Sequence, residues 1–393
     1  MKMVKCIFVL FAVILLLGGK VYANDDADKL LGDYSLLYGE MFDGSMEKLN
    51  MGDAFSGIFG DKTAKNVIDG LNKGDVALNG GEVVSSILKL LFRETTESLK
   101  LSVMIFLVAL LASYLEGLKT GFGETGISEI AFYACYIVIA GICATVFRNV
   151  SLGAAETIEN IAVFMKMVVP AVVALLFTSG AIISASALEP AVLVMISIIV
   201  PIIETVFIPL ITVTAALNIA NGVSERFKTD KLISFINGVV KWGLTILVTI
   251  FVSLAGLKSI AASGVDGLTL RLSRFATANL VPIIGGALSE AVGTVMSCSS
   301  VIKNSIGVLG IICIFVIVSG PMLKLGATIL MLRLLAAVSE PISNKSIVTC
   351  ISKIADSVGS LFSVLSVTSV MFVVVITILI NAGSSAFMLG KQI

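Results

Sequence analysis

Glu204 stands alone as an acid in the apolar run Val200–Pro209, with Pro201 and Pro209 on either side of it. An ionisable side chain inside a membrane-spanning stretch is expensive, so it marks a pathway, a pairing or a binding position. Each proline removes a helix hydrogen-bond donor. Related features recur elsewhere: Lys166 four residues before Pro170, Glu290 eight residues after Pro282, and Pro321 within another apolar run. Glu204, Pro201, Pro209, Glu290, Lys166, Pro170, Pro282 and Pro321 are therefore the candidate pathway or gating residues. Glu189, Lys324 and Arg333 also fall in or beside apolar segments, and each of these charges is expected to face a cavity, a partner charge or the interface. Lys324 and Arg333, nine residues apart in one helix, fall on opposite faces and cannot form one basic stripe.

The residue inventory excludes much other chemistry. The chain has no histidine, so histidine triads, zinc ligands and proton shuttles are absent. Cys135, Cys143, Cys298, Cys313 and Cys350 are scattered through apolar segments with no C-x-x-C pair, and read as small buried apolar residues. No phosphate-binding P-loop, dinucleotide fingerprint or Gly-x-Ser-x-Gly occurs. No enzymatic activity, catalytic residue, cofactor, metal or nucleic-acid partner is expected. Any energy for transport comes from a partner or an ion gradient.

The elements that must position these residues are apolar helices. Of 393 residues, 57% are hydrophobic and 14% charged, and the mean hydropathy is +1.04; this composition specifies an all-α, polytopic membrane protein. Residues 1–23 read as a signal peptide, with Lys2 and Lys5 before the apolar run Ile7–Leu17 and Val21-Tyr22-Ala23 at the cleavage site. Residues 24–100 hold 14 acids against 8 bases. They read as an extracytoplasmic helical segment, either a docking platform or a cap on the membrane domain, with helical spacing through Leu30, Leu31, Tyr34, Leu37, Tyr38 and Met41 and again through Val83, Val84, Ile87, Leu88 and Leu91.

Residues 101–393 form the multipass domain, with about 8–10 apolar segments. These run from Leu101–Leu118 through Ile130–Phe147, Ile161–Ile183, Ala191–Phe207, Leu210–Ala220, Val239–Leu257, Asn279–Ser297, Ile306–Ser319 and Met322–Val338 to Leu361–Ile380. The fourth and fifth leave room for two short spans or a broken, re-entrant pair. Basic clusters at Arg226, Lys228, Lys231 and Lys241, and at Lys345 and Lys353, are expected on one cytoplasmic side. Arg271 and Arg274 then fall outside.

A shift of 112 residues superposes Met167-Val-Val-Pro170 on Asn279-Leu-Val-Pro282, and Pro209 on Pro321. With a three-residue gap, Val223-Ser-Glu225 falls on Val338-Ser-Glu340. The expected units are roughly 127–238 and 239–353. Internal repeats are common in transporters, where sites form at repeat interfaces near broken helices; duplication is also simply how many helical membrane proteins grow. Glu204 falls on Val316 and Glu290 on Thr178, so these acids are not shared between the copies.

The leader ending Val21-Tyr22-Ala23, the Met167-Val-Val-Pro170 and Asn279-Leu-Val-Pro282 segments and the Val223-Ser-Glu225 loop give a layout that resembles the stage III sporulation protein AE family over essentially the whole chain. The resemblance implies a permease-like membrane component of the channel or secretion-like complex joining mother cell and forespore. It implies a place in the mother-cell-derived membrane around the forespore. It also implies partners, among them an ATPase and ring-forming proteins of the intermembrane space, besides membrane lipid. A stand-alone secondary transporter and a non-conducting scaffold are the alternatives.

Overall fold

The computed structural model describes residues 25–48, 64–73, 103–114, 126–223, 229–280 and 285–382. Their elements are all helical: α1 Asp25–Lys48, α2 Ala64–Lys73, α3 Val103–Tyr114, α4 Gly126–Thr178, α5 Ile182–Ile202, a π-helical turn Ile203–Phe207, α6 Ile208–Val223, α7 Asp230–Leu280, α8 Gly285–Ser339 and α9 Lys345–Asn381. Among the described residues, five helical stretches are long and apolar enough to cross a membrane: Phe132–Thr178, Ile182–Asn221, Asp230–Ser259, Gly293–Ser339 and Lys345–Asn381. The protein is an all-α, multi-pass membrane protein.

The apolar segments are strung along long helices. Ile130–Phe147 and nearly all of Ile161–Ile183 lie on α4, which has 53 residues and is therefore about 80 Å long at 1.5 Å per residue. The polar stretch between them, 148–160, contains no proline, and its single glycine, Gly153, is tolerated within the helix. Ile306–Ser319 and Met322–Val338 share α8 in the same way, with Pro321 inside that helix. The region of the fourth and fifth segments forms neither two spans nor a re-entrant pair. It runs as one continuous helical rod from Ile182 to Val223, interrupted only by the π turn.

Helix α9 is the axis of the bundle. Its buried residues, from Ile347, Cys350 and Ile351 to Ile376 and Leu379, pack against α4, α6, α7 and α8, while α5 lies between α4 and α7. Small residues set the α8–α9 distance. A Cβ on Gly307 would lie 2.2 Å from Ile380, and one on Gly310 would lie 3.2 Å from Ile376 and 3.5 Å from Val168. Levels along the bundle are thereby tied together: Val168, Gly310 and Ile376 share one.

Two turns are built by backbone chemistry. After α4, Gly180 takes φ 83°, and the Ala181 N–H returns to the Leu176 carbonyl at 3.0 Å; the left-handed residue closes the helix end and favours glycine. Before α9, the Asn344 side chain accepts from the Ser346 N–H at 2.9 Å, a helix N-cap. Helix α3 docks on this second turn: Ser113 donates to the Ile342 carbonyl, and Ser343 donates to the Ala109 carbonyl at 3.3 Å.

Helices α1 and α2 pack on α8. Tyr38, Phe42, Met46, Val67 and Ile68 join the same apolar core as the long helices, and Phe42 meets Phe164 of α4 edge-on at 6.0 Å. The buried face of α1 is thus Tyr38, Phe42 and Met46, while Leu37 is exposed. The leader 1–23 and the helical spacing at Val83–Leu91 lie outside the described residues. Two long helical stretches, Gly126–Thr178 and 182–223, are followed by two more, Asp230–Leu280 and Gly285–Ser339. At an offset of 112, however, the π turn 203–207 meets regular helix at 315–319.

Candidate functional site

The π turn accommodates Pro209, which follows it by two residues. In a regular helix the Pro209 ring would crowd the Thr205 carbonyl, and proline has no N–H to bond it. The chain widens instead: the Ile208 N–H reaches back five residues to the Ile203 carbonyl, the mark of a π turn. The Thr205 hydroxyl donates to the Pro201 carbonyl at 2.7 Å. One extra residue is absorbed, turning the following helix back by about 100° relative to an uninterrupted one. Pro209 and Val213 consequently stay on the exposed face already occupied by Pro190, Val194, Ile198 and Pro201. Ile203, Phe207, Ile208 and Ile211 keep facing the core.

Glu204 lies in this turn and is half-buried. The charges acting on its carboxyl come from Glu159 and Lys166, both on α4. Those two are seven residues apart, two helical turns, and so share a face; both are exposed. Glu204 takes part in no hydrogen bond or ion pair among the described residues. Three ionisable groups from two helices therefore share one region without being locked together. On the other side of the same turn, Phe207 is buried against α7, where a Cβ on Gly243 would lie 2.8 Å from its ring.

Glu204, Pro201 and Pro209 share one helical stretch, Lys166 acts on Glu204 from α4, and Pro170 lies one turn beyond Lys166 on the exposed face of α4. Pro170 leaves the Lys166 carbonyl without its helical donor. Pro321 stands apart, half-buried in α8. Pro282 lies outside the described residues, and so does the side chain of Glu290 on α8. Glu189 is half-buried on α5 and Lys324 is exposed on α8. Arg333 forms an exposed pair with Asp356 of α9 at 3.1 Å.

Two buried charges were missed by the sequence reading, and both serve helix ends. Asp266 of α7 is 1% exposed; its carboxylate accepts the Ile183 and Ser184 N–H groups at 2.8 Å each. It caps the start of α5 from another helix, where an anion also opposes the helix dipole. Lys303 of α8 is fully buried and donates to the Ala382 carbonyl, at the end of α9, at 2.7 Å. Both residues sit between apolar segments in the sequence, where they read as loop charges. No proline lies close to either residue, but Gly264 and Gly267 flank Asp266 and Gly307 follows Lys303, so the local sequence carries no clear signal of a continuous helix.

At the opposite end of the bundle, polar contacts join α6, α7 and α9. Asn221 donates to Asp230 at 3.0 Å, Lys353 pairs with Asp230, and the buried Asn218 donates to Ser357 at 3.1 Å. Tyr136 of α4 donates to the Ile219 carbonyl at 2.7 Å, and Cys350 and Cys143 lie beside its hydroxyl. All five cysteines from Cys135 to Cys350 are free and buried.

A sequence profile for the family described as Stage III sporulation protein AE matches residues 62–383. The chain is 27% identical over 335 residues to "Stage III sporulation protein AE" of Bacillus subtilis (strain 168), covering 85% of this chain and 84% of that relative. No solved structure matches. With the family profile matching most of its length, this multi-pass helical membrane protein belongs to the stage III sporulation protein AE family.

Proposed function

We propose that the protein is the permease-like membrane component of a multiprotein channel or secretion-type complex that connects mother cell and forespore during endospore formation. It sits in the mother-cell-derived membrane around the forespore, has no enzymatic activity of its own, and works with an ATPase and with ring-forming proteins of the intermembrane space. The observation that carries this reading is Glu204: a half-buried acid on a π turn of a membrane helix, facing Glu159 and Lys166 yet locked to neither. A purely structural charge in such a place is expected to be fully paired, because leaving it at mid-bilayer costs roughly 2.5–3.5 kcal/mol on insertion scales. Affinity purification of the full-length protein from sporulating cells tests the complex. Co-purification of an ATPase and ring-forming proteins is expected; recovery of the protein alone counts against it.

Asp266 and Lys303 favour a second reading, a non-conducting scaffold. Both bind helix ends and stiffen the bundle. A scaffold predicts that Glu204→Gln changes assembly or abundance but leaves passage per assembled complex unchanged.

A further inference from the structure

The exposed surface of the bundle differs sharply between two of its sides. On α4, Arg148, Leu152, Glu156, Glu159, Val163 and Lys166 are all exposed. At 100° per residue they fall within about 80° of one another, and Arg148 to Lys166 spans about 27 Å along the axis. Four of these six side chains are ionisable. On α7, Leu232, Phe235, Val239, Trp242, Ile246, Ile250, Leu254 and Leu257 are also exposed. They form one stripe about 120° wide and about 38 Å long, enough to cover a hydrocarbon layer of about 30 Å. The only charged residue between Leu232 and Leu257 in the sequence is Lys241, which lies about 100° beyond the nearest edge of the stripe.

The part of the α4 stripe from Leu152 to Lys166 lies within about 16 Å of the level of the middle of the α7 stripe. The π turn fixes this: Glu204 is acted on by Glu159 and Lys166 of α4, while Phe207, less than one turn away, packs on Gly243 at the middle of the α7 stripe. At the depth where the α7 stripe is apolar apart from Ser253, and where Lys241 lies on the other face of α7, the α4 stripe carries charges. A single lipid environment fits both sides poorly, because charges on a membrane helix turn toward protein or water. Beside Phe164, α4 is moreover flanked by α1, whose Glu40, Glu47 and Lys48 are exposed; polar surface thus continues beyond the stripe.

We propose that the α7 stripe faces lipid and that the α4 stripe from Leu152 to Lys166 borders a water-filled space within the membrane. The two sides of the bundle are then its lipid wall and its aqueous wall. This deepens the conduit reading, on which it rests for the use of that space.

The test is a pair of cysteine sets in full-length protein whose natural cysteines are replaced by alanine, kept in native membranes of sporulating cells. Leu152→Cys, Glu156→Cys and Val163→Cys sample α4; Ile246→Cys, Ile250→Cys and Leu254→Cys sample α7. A membrane-impermeant charged methanethiosulfonate reacts with thiolate, which forms where water reaches. The α4 set is expected to react at least tenfold faster than the α7 set. Equal rates, or α4 positions protected because protein covers them, overturn the proposal. Unsubstituted protein gives a second readout: a lipid-dissolved carbene photoreagent should label peptides from Leu232 to Leu257 and spare those from Leu152 to Lys166, and the reverse pattern overturns the assignment. If the stripes differ as expected but the protein purifies without partners, the aqueous wall stands and the multiprotein conduit fails.

Discussion

The ring of Phe207 occupies the space that a side chain on Gly243 would need, with a Cβ there 2.8 Å from the Phe207 ring. The π turn before Pro209 is thus seated on α7 at a residue without a side chain, and Gly243 leaves the room that the Phe207 ring needs.

Gly243→Val should consequently destabilise the bundle by about 1–3 kcal/mol, the usual range for overpacking. Gly243→Ala should have a smaller effect, because the Phe207 ring edge can shift. Denaturation of purified protein in detergent checks the order. Gly307→Ala should be the more damaging alanine substitution, since its Cβ would lie 2.2 Å from Ile380 in the close α8–α9 seam.

Asp266→Ala should weaken the start of α5, because two buried N–H groups lose a charged acceptor. A hydrogen bond to a charged group is worth about 1.5–3 kcal/mol. Asp266→Asn should be milder, as its one side-chain oxygen can still accept. Amide hydrogen exchange at Ile183 and Ser184 reads the effect locally; unchanged protection in Asp266→Ala would show that the cap contributes nothing.

Lys303→Met keeps much of the side-chain volume but leaves the Ala382 carbonyl without its 2.7 Å donor. The expected loss is about 1–3 kcal/mol for an unsatisfied buried acceptor, felt as faster exchange over the last turn of α9. Lys303→Arg supplies a donor but is bulkier, and should recover part of the protection.

What the sequence made legible followed from composition and from chain breakers. The all-helical membrane class came directly from apolar content, and the unusual status of Glu204 came from its two prolines. Helix continuity was harder to read. Residues 148–160 look like a loop because they are polar, yet a helix has no need to be apolar all round, and nothing there breaks one. Asp266 and Lys303 were hidden for a similar reason: their roles depend on the ends of α5 and α9, more than 75 residues away in each case. Cys143 and Cys350 show no sequence pairing either, and only the packing of α4 on α9 brings them together. The π turn before Pro209 was not legible either, because Pro170, Pro190, Pro201 and Pro321 lie within regular helix without one.

Glu204 is the residue on which a conduit and a scaffold give different outcomes. The decisive measurement is exchange of a small fluorescent tracer between mother cell and forespore, followed by photobleaching recovery. It should compare Glu204→Gln with the unaltered protein and normalise to the amount of assembled complex. The conduit account predicts that recovery per assembled complex changes by severalfold when the carboxyl loses its charge. Identical recovery per complex, whatever the change in abundance, would contradict it.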